Sequence, residues 1–191
     1  MRPRFLLFPF LCAVLCAQSA LAQDRGGFTF ITTIGYGLQS NGEFAVYDYS
    51  SGDSHTYGGS TYSALAGLNL GIGGFVAKDT ALMLRFSGTA FTAKYLNSGR
   101  SEDETIVTSG AVVLGVQHWR TERFNWEAGV GYGVYTTEHV DEVGLGLMVG
   151  AAYSFYQYKK LSLQLGIEDA VYAGHTQTVN SLGFCFGLQL L

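Results

Sequence analysis

The strongest constraint on this chain is an alternation of period two in which the bulky side chains and the glycines occupy opposite faces. From Phe28, one set of alternate residues is Phe28, Phe30, Thr32, Ile34, Tyr36 and Leu38, and the set between them is Thr29, Ile31, Thr33, Gly35 and Gly37. Successive side chains of a strand point to opposite faces, so this segment reads as a strand with one large apolar face and one small face. A second segment sets Tyr62, Ala64, Ala66, Leu68, Leu70 and Ile72 against Ser63, Leu65, Gly67, Asn69, Gly71 and Gly73. Comparable splits follow at 82–90, 106–117, 124–134, 143–155, 161–168 and 181–190, which makes eight strands. The split is cleanest in the fifth, where Phe124, Trp126, Ala128, Val130, Tyr132 and Val134 oppose Asn125, Glu127, Gly129, Gly131 and Gly133.

The sense of the split decides what surrounds the strands. A soluble barrel turns its bulky apolar groups inward, whereas an eight-stranded barrel has an interior only just wide enough for side chains. Small residues therefore belong inside and the large ones outside, against lipid. The expected fold is all-β, an eight-stranded antiparallel up-and-down transmembrane β-barrel. Connection lengths agree with it: long polar stretches at 39–60, 92–104, 136–142 and 173–178 alternate with turns at 76–79, 120–123 and 157–160. Membrane barrels show this asymmetry between their two rims. An even strand count puts both chain ends at the short-turn rim. The two prolines, Pro3 and Pro9, precede all eight strands, as ladders without Pro require. Aromatics at strand ends suggest two girdles, with Phe28, Phe30, Phe75, Phe124, Trp126, Tyr153 and Phe155 near the short turns and Tyr36, Tyr62 and Tyr132 near the long loops.

The N-terminus carries Arg2 and Arg4, an apolar run from Phe5 to Ala17 and the small-residue sequence Ser19-Ala20-Leu21-Ala22. This pattern predicts a signal peptide over 1–22, cleaved near Ala22, ahead of a barrel domain over 23–191. The mature chain has 9 basic against 15 acidic residues, a net charge of −6. Nothing in that balance suggests a nucleic-acid partner. Cys12 and Cys16 leave with the signal, so Cys185 has no intramolecular disulfide partner.

These strands, turns and girdles resemble the OmpA/OmpX/OmpW-type outer-membrane barrels over the whole mature chain. The segment 163–172, LQLGIEDAVY, is also similar to an acidic strand-seven segment of deltaproteobacterial outer-membrane barrels. The resemblance implies an outer-membrane location, surrounding lipid and lipopolysaccharide, and insertion by the barrel-assembly machinery. Family members usually close on an aromatic residue read by that machinery; here the sequence closes on Leu190-Leu191.

Inward positions on five strands carry Asn69, Arg85, Gln117, Asn125, Glu127, Gln164 and Glu168. An isolated buried charge is costly and pairing relieves it. Two arrangements are open. Arg85 bridges at least one glutamate in a polar plug, or the groups sit at different heights and are hydrated separately. Outside the wall, Tyr47, Tyr49 and Tyr57 lie in a first long loop rich in Ser and Gly, a composition suited to adaptable recognition and equally to a flexible connection. The long loops also hold Glu43, Asp48, Asp53, Glu102, Asp103, Glu104, Glu138, Asp141 and Glu142, whereas Lys78, Arg120, Arg123, Lys159 and Lys160 occupy the short turns.

Catalytic and metal patterns are weak. Asp53-Ser54-His55 holds triad residue types in succession, but adjacent residues of an extended chain face opposite ways. His118 reads as an interfacial residue, and His139 and His175 lack metal-ligand spacing. The late His-x-Ser pattern of lipid A deacylase barrels is absent, since Thr176 and Gln177 follow His175. The amphipathic helix of palmitoyltransferase barrels is absent too, since Asp24-Arg25-Gly26-Gly27 leads straight into the first strand. The expected role is structural or surface-interacting, without enzymatic activity, cofactor or metal. A narrow channel for small solutes and a lipid-modifying enzyme are the alternatives.

Overall fold

A computed structural model describes the backbone of residues 27–41, 44–48, 53–57, 61–94, 104–136, 141–175 and 178–191, and side chains within 27–39, 69–90, 106–136, 141–175 and 178–191. The expected signal peptide lies outside the described residues.

Eight strands close into an antiparallel barrel. They are β1 (Phe28–Asn41), β4 (Thr61–Ala77), β5 (Thr80–Lys94), β6 (Glu104–Trp119), β7 (Phe124–Thr136), β8 (Asp141–Tyr158), β9 (Leu161–Ala173) and β10 (Thr178–Leu190). Each pairs with its sequence neighbour in the wall, and β1 pairs with β10 to close the ring through Phe30 opposite Leu190 and Leu38 opposite Leu182. Closure leaves no strand edge in the wall, and every ladder hydrogen bond is made internally, as a lipid surround requires. The turns between β4 and β5 and between β8 and β9 are shorter than expected, because pairing continues to Ala77–Thr80 and Tyr158–Leu161. The strands also run further into the long connections than the alternation reached.

The outward face of the described wall is predominantly apolar, with Asp169 of β9 standing on it opposite Val149 and Leu182. Tyr132 is 74% exposed and Phe184 70%, with Ile34, Leu84, Leu114, Val130, Val149 and Ile167 exposed among them. Soluble monomers rarely expose contiguous apolar patches beyond a few hundred Å², so a belt around the whole barrel needs hydrocarbon against it. Phe28, Trp126, Tyr153 and Phe155 mark one rim of this belt and Tyr36 and Tyr132 the other.

Four expectations need correction. Phe75 does not join the outer girdle: it shares the inward parity of Gly71 and Gly73, and its ring lies 5.1 Å from that of buried Trp119. Tyr62 falls on the other alternation from the one assumed. A bulge in β4 shifts its register between Ala66 and Leu70, so Tyr62 stands opposite Gln39 and Leu65 opposite Tyr36; one extra residue in a strand exchanges its two faces. The first long connection contains a hairpin, β2 (Phe44–Asp48) and β3 (Asp53–Tyr57), paired from Phe44 opposite Tyr57 to Asp48 opposite Asp53. Finally, the interior holds large apolar groups beside its small ones. Ile31, Ala81, Met83, Trp119 and Leu191 pack with Phe75 near the short turns, and Ala111, Val113 and Met148 form a second cluster.

Glycines make this filling possible. A Cβ added at Gly71 would lie 2.5 Å from Arg85 Cδ and 2.6 Å from Ile31 Cγ2, and one at Gly150 would lie 3.3 Å from Glu127 Cγ. The glycine face is therefore the room into which long inward side chains reach.

Candidate functional site

The lumen is crossed at mid-height by a belt of charged and amide side chains contributed by facing strands. Arg85 is the pivot, on β5 and 1% exposed. Its Nη2 donates to Glu168 Oε2 on β9 at 2.9 Å and to Glu127 Oε1 on β7 at 3.1 Å. Glu168 Oε1 accepts from Asn69 Nδ2 at 3.2 Å and from Ser87 Oγ at 3.1 Å. Asn69 Oδ1 in turn accepts the backbone N–H of Gly88 at 3.1 Å. Both oxygens of Glu168 are thus engaged, and Asn69 is held in the orientation that lets it donate.

A second, uncharged cluster lies toward the short turns. Gln117 Nε2 donates to Asn125 Oδ1 at 3.0 Å, and Gln117 Oε1 accepts from Gln189 Nε2 at 2.8 Å. The same Gln189 nitrogen reaches Thr29 Oγ1 at 3.1 Å, and Gln189 Oε1 accepts from Gln164 Nε2 at 2.5 Å. Thr29 Oγ1 donates to the carbonyl of Leu190 at 2.6 Å, tying the network to the seam where the barrel closes. Toward the long loops, Gln39 Nε2 donates to Ser109 Oγ at 2.9 Å and Gln39 Oε1 accepts from Thr89 Oγ1 at 3.2 Å. Tyr135 and Tyr172 stack above, with ring centroids 5.8 Å apart.

The structure gathers Asn69, Arg85, Glu127 and Glu168 into one cluster and Gln117, Asn125 and Gln164 into another. Gln189, Thr29, Ser87 and Gln39 belong to these networks and were not anticipated from the sequence. Gln189 had a readable signal, since it lies on the inward alternation with Cys185 and Gly187. Gln39 had none, because the first strand was expected to stop before it.

The belt can neutralise two carboxylates only in part. One guanidinium faces Glu127 and Glu168, and each charge is far too costly to bury alone. Chemically it is a cross-brace, tying β5 to β7 and β9 across the lumen and occupying space that a solute would need.

The barrel is similar in fold to the crystal structure of Ail, the attachment invasion locus protein of Yersinia pestis, in complex with the heparin analogue sucrose octasulfate. The two are 12% identical with a TM-score of 0.56, over 87% of this chain and 100% of that one. OprG, an outer membrane protein from Pseudomonas aeruginosa, is 11% identical with a TM-score of 0.53, over 90% of this chain and 99% of its own. The fold is that of the small outer-membrane β-barrels. No protein-family model and no curated protein sequence matches the chain.

As in other outer-membrane barrels, the long connections of this one gather on a single rim. Tyr47 lies on β2 opposite Ser54 and Tyr57 on β3 opposite Phe44, positions of opposite parity in the hairpin; Tyr49 lies outside the described residues. The two described tyrosines therefore belong to different faces of the hairpin. Asp53, Ser54 and His55 occupy successive positions of β3, where alternation works against a shared site. His118 sits at the short-turn rim, half-buried, with Nδ1 3.1 Å from Thr80 Oγ1 and its ring 5.6 Å from that of Trp126. His175 borders the opposite rim, its backbone N–H donating to Glu142 Oε1; His139 lies outside the described residues. Among the described residues, no three His, Cys, Asp or Glu side chains come together as metal ligands would.

Proposed function

We propose that this chain is exported with loss of residues 1–22 and serves in the outer membrane as a closed barrel with a structural or surface-binding role. The observation that carries this reading is the Arg85–Glu127–Glu168 brace, which ties three strands together across the middle of the lumen. In this reading the wall meets lipid and lipopolysaccharide, the barrel-assembly machinery inserts it, and contact with partners falls to the long-loop rim.

On that rim the β2–β3 hairpin carries Tyr57, Asp48 and Asp53 at positions of one parity and Tyr47 at the other. The long connections are acidic over the full sequence, with nine carboxylates against Lys94 and Arg100. Such a rim repels a sulfated polysaccharide and attracts a cationic partner, so the ligand class differs from the sulfated analogue bound in the Yersinia pestis structure. Deleting 44–57 in proteoliposomes should leave the barrel folded, as judged by heat-modifiable migration. Attachment to a polycationic surface should fall about tenfold, while attachment to heparin stays low throughout. Unaltered attachment after the deletion contradicts the surface role.

One observation favours a narrow channel as the second reading. The lumen is not solidly filled, since small cavities lie below and above the brace. Ion flux through reconstituted wild-type protein would support that alternative.

A further inference from the structure

Below the brace, Thr33, Arg85, Asn125, Glu127, Gln164 and Cys185 line a cavity of about 30 Å³. Six polar atoms of five of these side chains have no hydrogen-bond partner among the described residues. Three are donors: Arg85 Nε, Arg85 Nη1 and Asn125 Nδ2. The other three are oxygens able to accept: Thr33 Oγ1, Glu127 Oε2 and Gln164 Oε1. All five side chains are nine-tenths or more buried. An unpaired buried polar group costs roughly 1–3 kcal/mol, and more when it is charged, so six around one small space require a common partner.

The balance of donors and acceptors identifies the class of that partner. A cation would satisfy the three oxygens and be repelled by two guanidinium nitrogens; an anion would satisfy the nitrogens and be repelled by Glu127. Only a small ligand that both donates and accepts serves all six. A buried water needs roughly 10–15 Å³ of such space and two to four polar partners, so the cavity has room for about two.

We propose that this cavity is a water-binding site, a pair of internal waters completing the brace, and that these waters exchange with the long-loop side. The direction follows from what lies at each end. Toward the short turns the way is closed by the dry cluster of Ile31, Met83, Phe75, Trp119 and Leu191 and by amides already bonded to one another. Toward the long loops lies a second cavity, about 10 Å³, lined by Ser87, Thr89, Ser109 and Ser181 together with Ala111 and Tyr172. Ser87 and Glu168, bonded at 3.1 Å, form the wall between the two spaces. In this proposal water passes between the two spaces when that hydrogen bond opens. The proposal deepens the closed-barrel reading, because it describes what fills the brace that closes the lumen.

Water-selective NMR on the full barrel in lipid nanodiscs tests it. Cross-peaks from bound water to Arg85 Nε–H and to the Asn125 side-chain amide are expected in the wild type, and Thr33→Val should lower transfer to Arg85 Nε–H at least twofold. Exchange of Arg85 Nε–H into D2O should slow about tenfold in Ser109→Leu, which fills the upper cavity, and stay within twofold in Ala81→Val at the dry end. If Ser109→Leu does not fold, Ser181→Val enters the same cavity from another strand. Absence of the wild-type cross-peaks overturns the water site. Slowing by Ala81→Val without slowing by the upper-cavity variant overturns the direction of exchange. Ion conductance with the cross-peaks present would fault the closed-barrel reading alone; no conductance and no cross-peaks would fault the water site alone.

Discussion

At its short-turn end the lumen closes on Phe75, Met83, Trp119 and Leu191 packed side by side, whereas toward the long loops it holds Gln39, Thr89 and Ser109 bonded to one another. The first closure excludes water by apolar packing. The second depends on geometry: a shift of one residue in any of its strands would exchange inward and outward side chains. Between them, the Arg85 brace belongs with the polar end in chemistry and with the apolar end in burial. The difference teaches that one end of this barrel is closed by apolar packing and the other by hydrogen-bonded polar groups beneath the stacked Tyr135 and Tyr172.

The largest effect expected on that division comes from its boundary. Arg85→Ala leaves Glu127 and Glu168 buried without a countercharge, and breaking a buried pair in this way costs about 3–5 kcal/mol. Urea unfolding in lipid vesicles should show that loss, and wild-type stability in the variant would remove the brace from the account. Trp119→Ala should cost about 3 kcal/mol by emptying the seal, and it should also speed exchange of Arg85 Nε–H from the short-turn side. A stability loss without faster exchange would mean that the seal is not what keeps water out.

Smaller effects follow within the polar region. Gln189→Leu strands Gln117 Oε1 and leaves Gln164 Nε2 only its 3.4 Å hydrogen bond to Ser162 Oγ, and should cost about 2 kcal/mol. Gln39→Ala should cost only about 1 kcal/mol, because Thr89 and Ser109 remain bonded to each other at 2.8 Å and their surroundings are less buried. A larger loss from Gln39→Ala than from Gln189→Leu, in the same unfolding measurement, would reverse the assigned ranking of the two networks.

Much of this is legible in the sequence, for a physical reason. Lipid imposes one sense on every strand, so the bulky and small faces separate in the sequence wherever the strand crosses the hydrocarbon. Arg85, Glu127 and Glu168 could be placed inside on parity alone. Their heights could not, because height depends on stagger between strands, and alternation carries no information about stagger. The bulge in β4 was hidden for a related reason: across Tyr62, Ser63, Ala64, Leu65 and Ala66 the two alternate sets differ little in bulk, so an exchange of faces leaves no mark. Phe75 has inward parity, but an aromatic at a strand end fits a girdle and a lumen seal equally well. The β2–β3 hairpin has a signal inside an otherwise polar stretch, the β-prone run Phe44-Ala45-Val46-Tyr47 ahead of the turn-prone residue types Ser50, Ser51 and Gly52.

The central claim is that the brace and the short-turn seal together close the lumen, and single-channel recording in planar bilayers tests it most directly. With purified, folded wild-type protein the current should stay at the bilayer baseline, and openings should appear when Arg85 and Trp119 are both replaced by Ala. Steady ohmic conductance from the wild type, unchanged by those substitutions, would contradict it.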